Sequence, residues 1–148
     1  MEIDDLKSMI GSSEGDWVAD FEIAAEEYYN KRRAAAVIPL ISLLGDDLPN
    51  EVNFTIIHIV EQTPSVEYVK SLVDVVVAHG GQGSYWLNVL HYRIFNSPPD
   101  LAAYADVLKT AEPAAKRMVQ HYLSGLSMNP RNARFKAQID LLQQIVGG

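Results

Sequence analysis

The sequence predicts an all-α fold, and three observations lead there. Apolar residues recur at spacings of three and four almost throughout the chain, which places them on one face of a helix rather than one face of a strand. The interruptions between these stripes hold proline, glycine, serine and asparagine in the positions where helices start and stop. The interruptions are also short, which favours antiparallel neighbours. With 148 residues, 48% hydrophobic and 21% charged, the chain suits a single globular domain over residues 1–148.

The elements follow in order. A short segment at Ile3–Met9 is a marginal helix, and helices are predicted over residues 17–30 and 34–44. Val52, Ile56, Ile59 and Val60 fall at i, i+4, i+7 and i+8, giving a helix over 51–62 that Asn50 is placed to cap. Thr63-Pro64 opens the next helix, over 64–79, with the stripe Val66, Val69, Leu72, Val73 and Val76. The β-rich run Val73 to Val77 lies inside that pattern and is read as helical. Gly80 and Gly81 end it, since glycine adopts the left-handed conformation of a helix stop. Leu87, Leu90, His91 and Ile94 mark a helix over 84–96. Ser97-Pro98-Pro99-Asp100 resembles a capping box with Asp in place of Glu, ahead of a helix over 99–110. Met118, Val119, Tyr122, Leu123 and Leu126 mark one over 113–126. Ile139, Leu142, Ile145 and Val146 mark the last, over 130–146. About eight to nine helices in series suggest a right-handed stack of antiparallel hairpins of the HEAT or armadillo kind, with an irregular stack or a closed bundle as alternatives.

Composition narrows function. The absence of cysteine removes disulfides, thiolate zinc sites and a cysteine nucleophile. The start MEIDDLKSMIG is acidic where a secretory signal is basic, and no apolar run approaches the ~20 residues that span a bilayer. A cytoplasmic protein is expected. Net charge is −7, unevenly spread: residues 1–74 carry 15 Asp+Glu against 5 Lys+Arg, and residues 75–148 carry 4 against 7. An acidic half repels nucleic acid and membrane phosphates, and it either keeps the protein soluble or steers a basic partner inward. Asp46, Asp47 and Glu51 are the best candidates for such a contact, because they cluster at a loop and a helix start.

Catalysis finds little support. There is no G-x-S-x-G elbow, Walker-type loop or H-E-x-x-H, and Gly80-Gly81-Gln82-Gly83 follows a helix rather than a strand. His58 and Glu61 share a helix face three residues apart, but a di-iron site would need that motif twice plus two further carboxylates. A non-enzymatic protein with no cofactor and no metal is expected. The aromatic segment 85–96 is the most unusual. Tyr85, Trp86 and Tyr92 are candidates for partner contact, and Arg93 is the only Lys or Arg between Lys70 and Lys109. An arginine on a half-buried aromatic helix needs a carboxylate, so His58, Glu61, Arg93 and Asn96 are expected to form a structural polar network.

The run Glu51-Val-Asn-Phe-Thr-Ile-Ile-His-Ile-Val-Glu, then Tyr68-Val, then Tyr85-Trp86 and His91-Tyr-Arg-Ile-Phe-Asn-Ser, resembles the all-helical immunity proteins of bacterial polymorphic toxin systems, immunity protein family thirty. The resemblance covers residues 40–110. It implies a cytoplasmic antidote that binds and blocks a cognate toxin domain, delivered by contact-dependent growth inhibition or another polymorphic toxin route. It carries over no binding residues. An acidic face would suit a basic toxin such as a nuclease, with no nucleic acid or membrane as direct partner. Two other readings of the residues stay open. One is a generic HEAT-like scaffold joining two proteins. The other is a small helical metal-dependent hydrolase using His58, Glu61 and His91.

Overall fold

The computed structural model describes residues 1–12 and 16–147, and the described residues are helical with no strand. They fall into two compact units, Met1–Pro64 and Ser65–Gly148. The division nearly coincides with the charge step in the sequence. The first unit holds 13 Asp+Glu against 4 Lys+Arg, and the second holds 6 against 8.

The first unit comprises α1 (Ile3–Met9), α2 (Trp17–Arg32), a 3-10 turn (Arg33–Ala36), α3 (Val37–Ile41) and α4 (Asn50–Val60). Asp16 caps α2 by accepting from the Ala19 amide at 3.4 Å. Arg33 ends it, with φ at +52°, a conformation that side-chain-bearing residues rarely adopt. The helix expected over 34–44 is shorter, a 3-10 turn and the five residues of α3. α2 packs against α1 and α4, and α3 packs against α4. Phe21, Tyr29, Val37, Leu40, Val52, Ile56 and Val60 fill the space between them. The Tyr29 hydroxyl, buried with them, is hydrogen-bonded to Thr63 Oγ1 at 2.8 Å. Asn50 is not the cap of α4. It is the first helical residue, Pro49 precedes it, and no side chain caps that end.

The second unit comprises α5 (Ser65–Ala78), α6 (Tyr85–Phe95), α7 (Pro98–Lys109), α8 (Pro113–Ser127), a 3-10 segment (Pro130–Phe135) and α9 (Lys136–Gly147). α5 packs on α7 and α8, and α9 packs on the same two, so these four close a ring; α6 packs on α7. Val69, Leu72, Val76, Leu90, Ile94, Leu108, Val119, Leu123, Ile139 and Leu142 are buried. Val66, expected in the stripe of α5, is exposed: it lies in the opening turn, and the buried stripe begins one turn later. The stop after α5 is a Schellman motif. The Gly81 amide donates to the Val76 carbonyl and the Gly80 amide to Val77, with both glycines at positive φ. Ser84 caps α6 by accepting from the Leu87 amide. At α7, Ser97 accepts from the Asp100 amide as expected, but the Asp100 carboxylate accepts from the Ser65 hydroxyl at 2.6 Å and ties the start of α7 to the start of α5. No described helix is long and apolar enough to cross a membrane.

Candidate functional site

The acidic loop is built around one buried amide. Asn53, one turn into α4, is fully buried. Its Oδ1 accepts from the Gly45 amide at 3.1 Å, and its Nδ2 donates to the Gly45 carbonyl at 2.9 Å and the Leu48 carbonyl at 3.4 Å. Leu48 is itself buried, so the segment is fastened at both ends. Asp46 and Asp47 lie between those fastenings, and both are exposed. Glu51 is exposed in the first turn of α4, where a negative charge also favours the helix dipole. The structure thus brings the three predicted acidic residues to one end of α4. Asn53 was missed by sequence reasoning. The available signal was a polar residue in phase with the buried side of the Val52–Val60 stripe.

Further along α2 and α4, Glu22 accepts from the Thr55 hydroxyl at 3.1 Å and Glu26 accepts from the Gln62 amide at 3.1 Å. These donors are neutral, so the carboxylates are held in place without losing their charge.

The aromatic segment divides differently from expectation. Tyr85 is 64% exposed, whereas Trp86 is 8% exposed and meets the Tyr85 ring edge-on with centroids 5.0 Å apart. Trp86 is therefore a core residue and not part of an exposed contact face. Tyr92 is half-buried and stacks on Phe135 at 5.2 Å, so of the three only Tyr85 stands out from the surface.

The four residues expected to form a polar network differ in burial. His58 is exposed on α4 and Glu61 follows the last residue of that helix, both in the first unit; Arg93 is half-buried on α6 and Asn96 exposed at its end, in the second. His58 points to solvent, away from the side of α4 that buries Val52 and Ile56. The buried histidine is His91. Its Nδ1 donates to the Leu87 carbonyl at 2.9 Å, which fixes the tautomer and leaves Nε2 to accept from the Tyr104 hydroxyl at 2.9 Å. The Tyr122 ring lies 4.5 Å from the imidazole, and its hydroxyl donates to Asn88 Oδ1 at 2.7 Å.

Burial pushes the His91 pKa down to about 4, outweighing the opposing pull of the Leu87 carbonyl. Burial likewise raises the Tyr104 and Tyr122 hydroxyls, the second with added repulsion from Tyr104 and Tyr92. All three groups are held neutral. With both ring nitrogens of His91 engaged, it has no lone pair to offer a metal. Among the described residues no group of three or more His, Asp or Glu is placed to hold one.

One open groove of about 510 Å³ lies within the second unit. The Gly81–Ser84 turn and Asn88 form one wall, and α8 from His121 onward with Asn129 and Asn132 forms the other; Tyr85 and Met128 also line it. No Lys, Arg, Asp or Glu is among its lining residues.

The sequence model for immunity protein 30 matches residues 7–104, more than half of the chain. The chain belongs to the immunity protein 30 family. The matched span runs from α1 to Tyr104 on α7, so it contains the Asn53-fastened acidic loop, His91 and its hydroxyl partner. α8, the second 3-10 segment and α9 lie beyond it. No curated protein and no solved structure matches the chain.

Proposed function

We propose that this chain is a non-enzymatic immunity protein of the cytoplasm that binds a cognate toxin domain and neutralises it by occlusion. Membership of the immunity protein 30 family carries the reading. The geometry supports it from a second direction. The acidic first unit presents Asp46 and Asp47 on a loop that Asn53 keeps in shape, with Glu51 beside them. A preformed acidic surface suits a basic partner, and a nuclease domain, which must itself attract a polyanion, is such a partner. The His91–Tyr104–Tyr122 cluster is neutral and enclosed, which suits a structural role and not proton transfer.

Immunity genes typically lie directly downstream of their toxin genes, so the test is to co-express this chain with the product of the gene upstream of its own, the candidate toxin domain. Restored growth, together with co-purification of the two chains, is the expected result. Growth arrest that this chain does not relieve, with no complex recovered, would overturn the reading.

A further inference from the structure

We infer that the groove between the Gly81–Ser84 turn and the last turns of α8 is a docking site for a neutral, polar loop of the partner protein. The inference rests on the reading above, since the occupant is the toxin domain that reading assigns.

Two glycines beside the groove differ in what the fold asks of them. At Gly81 a Cβ would lie 2.7 Å from the Met118 carbonyl oxygen and the backbone already sits at φ +78°, so packing alone requires glycine. At Gly125 a Cβ would meet nothing within 4 Å. Gly125 is inside α8, where glycine is destabilising relative to alanine, and no neighbour demands it. What the missing side chain does leave is space, because Gly125 lines the groove. The helix thus carries a local cost at a position that faces the open groove.

The lining identifies the chemistry of the occupant. A chain of net charge −7 leaves this cavity without a single formally charged side chain. Depletion of charge at the centre is the compositional mark of a protein interface, with aromatic residues and methionine enriched. Tyr85 and Met128, exposed by 64% and 82%, are large side chains of those kinds beside the opening. The polar groups within are amides and hydroxyls of both senses, with the His121 imidazole beside the Gln82 amide. Asn88 Oδ1 is taken by the Tyr122 hydroxyl, which leaves its NH2 to donate. The Asn132 NH2 is taken by the Leu126 carbonyl, which leaves its oxygen to accept. Peptide groups and side-chain amides match such a lining, whereas a carboxylate or ammonium group would be desolvated there without a counter-charge. One wall also lies inside the span matched to the family and the other beyond it. That placement suits a contact that tells one toxin from another.

The test measures binding of the upstream-encoded toxin domain to wild type, Gly125→Ala, Gly125→Trp and the pair Tyr85→Ala/Met128→Ala. Gly125→Ala should bind as wild type and melt no lower, because it adds a methyl where there is room. Gly125→Trp should retain its helical spectrum yet bind about thirtyfold more weakly, mainly through faster dissociation. The loss should be equal at low and high salt, because no formal charge lines the groove. If Gly125→Trp disturbs folding, the Tyr85/Met128 pair carries the same expectation from side chains that are already exposed. Wild-type affinity in correctly folded groove variants would overturn this inference and leave the immunity reading standing. Failure of the wild-type chain to bind would overturn both.

Discussion

His91 gives the protein a specific sensitivity to acid. In the unfolded chain the imidazole titrates near 6.5, whereas burial lowers its folded value to about 4. Between those values the unfolded state binds a proton that the folded state excludes, so stability is full above about pH 6.5 and falls as pH drops toward 4. A difference of about 2.5 units at ~1.4 kcal/mol per unit makes the full loss about 3.5 kcal/mol. The structure shows why. Protonation would put a hydrogen on Nε2 facing the Tyr104 hydroxyl that now donates to it, in a site with no carboxylate among its hydrogen-bond partners. Urea unfolding from pH 4 to 7 should show this loss, and His91→Gln should flatten the curve while lowering stability at pH 7. The difference between the two proteins isolates His91, because carboxylates titrating in the same range act on both. Imidazole proton shifts followed by NMR give a direct check. A His91 that titrates near pH 6.5, or superimposable pH profiles for the two proteins, would refute the reasoning.

Other perturbations have equally definite outcomes. Leu90→Ala, at a fully buried position, should destabilise the chain by about 2–5 kcal/mol in chemical unfolding. Asn53→Ala should cost about 1–3 kcal/mol and speed amide exchange across residues 45–48, because the Gly45 amide loses its acceptor and two carbonyls lose their donor. Replacing Asp46 and Asp47 together by Lys should leave the melting temperature nearly unchanged and slow association with the toxin domain at low salt, with the effect shrinking at high salt as screening shortens to ~3 Å at 1 M. Unchanged association at both salts would make this acidic loop a solubilising surface only.

Local chemistry was the part of the fold that could be read from sequence. Ile3–Met9, the Ser97 cap of α7 and the double-glycine stop after α5 each depend on residues within one turn, and each stands where it was expected. What escaped depends on partners distant in sequence. Periodicity assigns a side chain to a face but does not say where along the helix the covering layer begins, so Val66 was placed inside and is exposed. Trp86 is a candidate for partner contact by its aromatic company, but it lies on the same side of α6 as Leu90 and is buried. His91 was the informative histidine because it interrupts an apolar stripe, and a polar ring there must find partners. Its partner, Tyr104, lies on the next helix, a pairing that spacing alone does not specify. The groove could not be read at all, since Gly125 looks in sequence like any helical glycine.

The charge distribution and the groove bear on different rate constants. The first unit carries 13 acidic against 4 basic residues, an imbalance that opposes its own compactness through self-repulsion. Its hydrogen bonds do not relieve that repulsion. Glu22 and Glu26 are held by a hydroxyl and an amide, and Asn53 fastens the backbone of the acidic loop. The excess of acidic over basic residues preserves a field that reaches a basic partner before contact, which raises the association rate and is lost in salt. A neutral groove exerts no such long-range pull. Its hydrogen bonds and apolar rim act only once the surfaces meet, so they lengthen the complex's lifetime and do so at any ionic strength. An antidote must capture a toxin quickly and then keep it. Under the proposed function the acidic unit serves capture and the groove serves retention, and a salt-dependent effect of the Asp46/Asp47 variant beside a salt-independent effect of the Gly125 variant is the signature of that division.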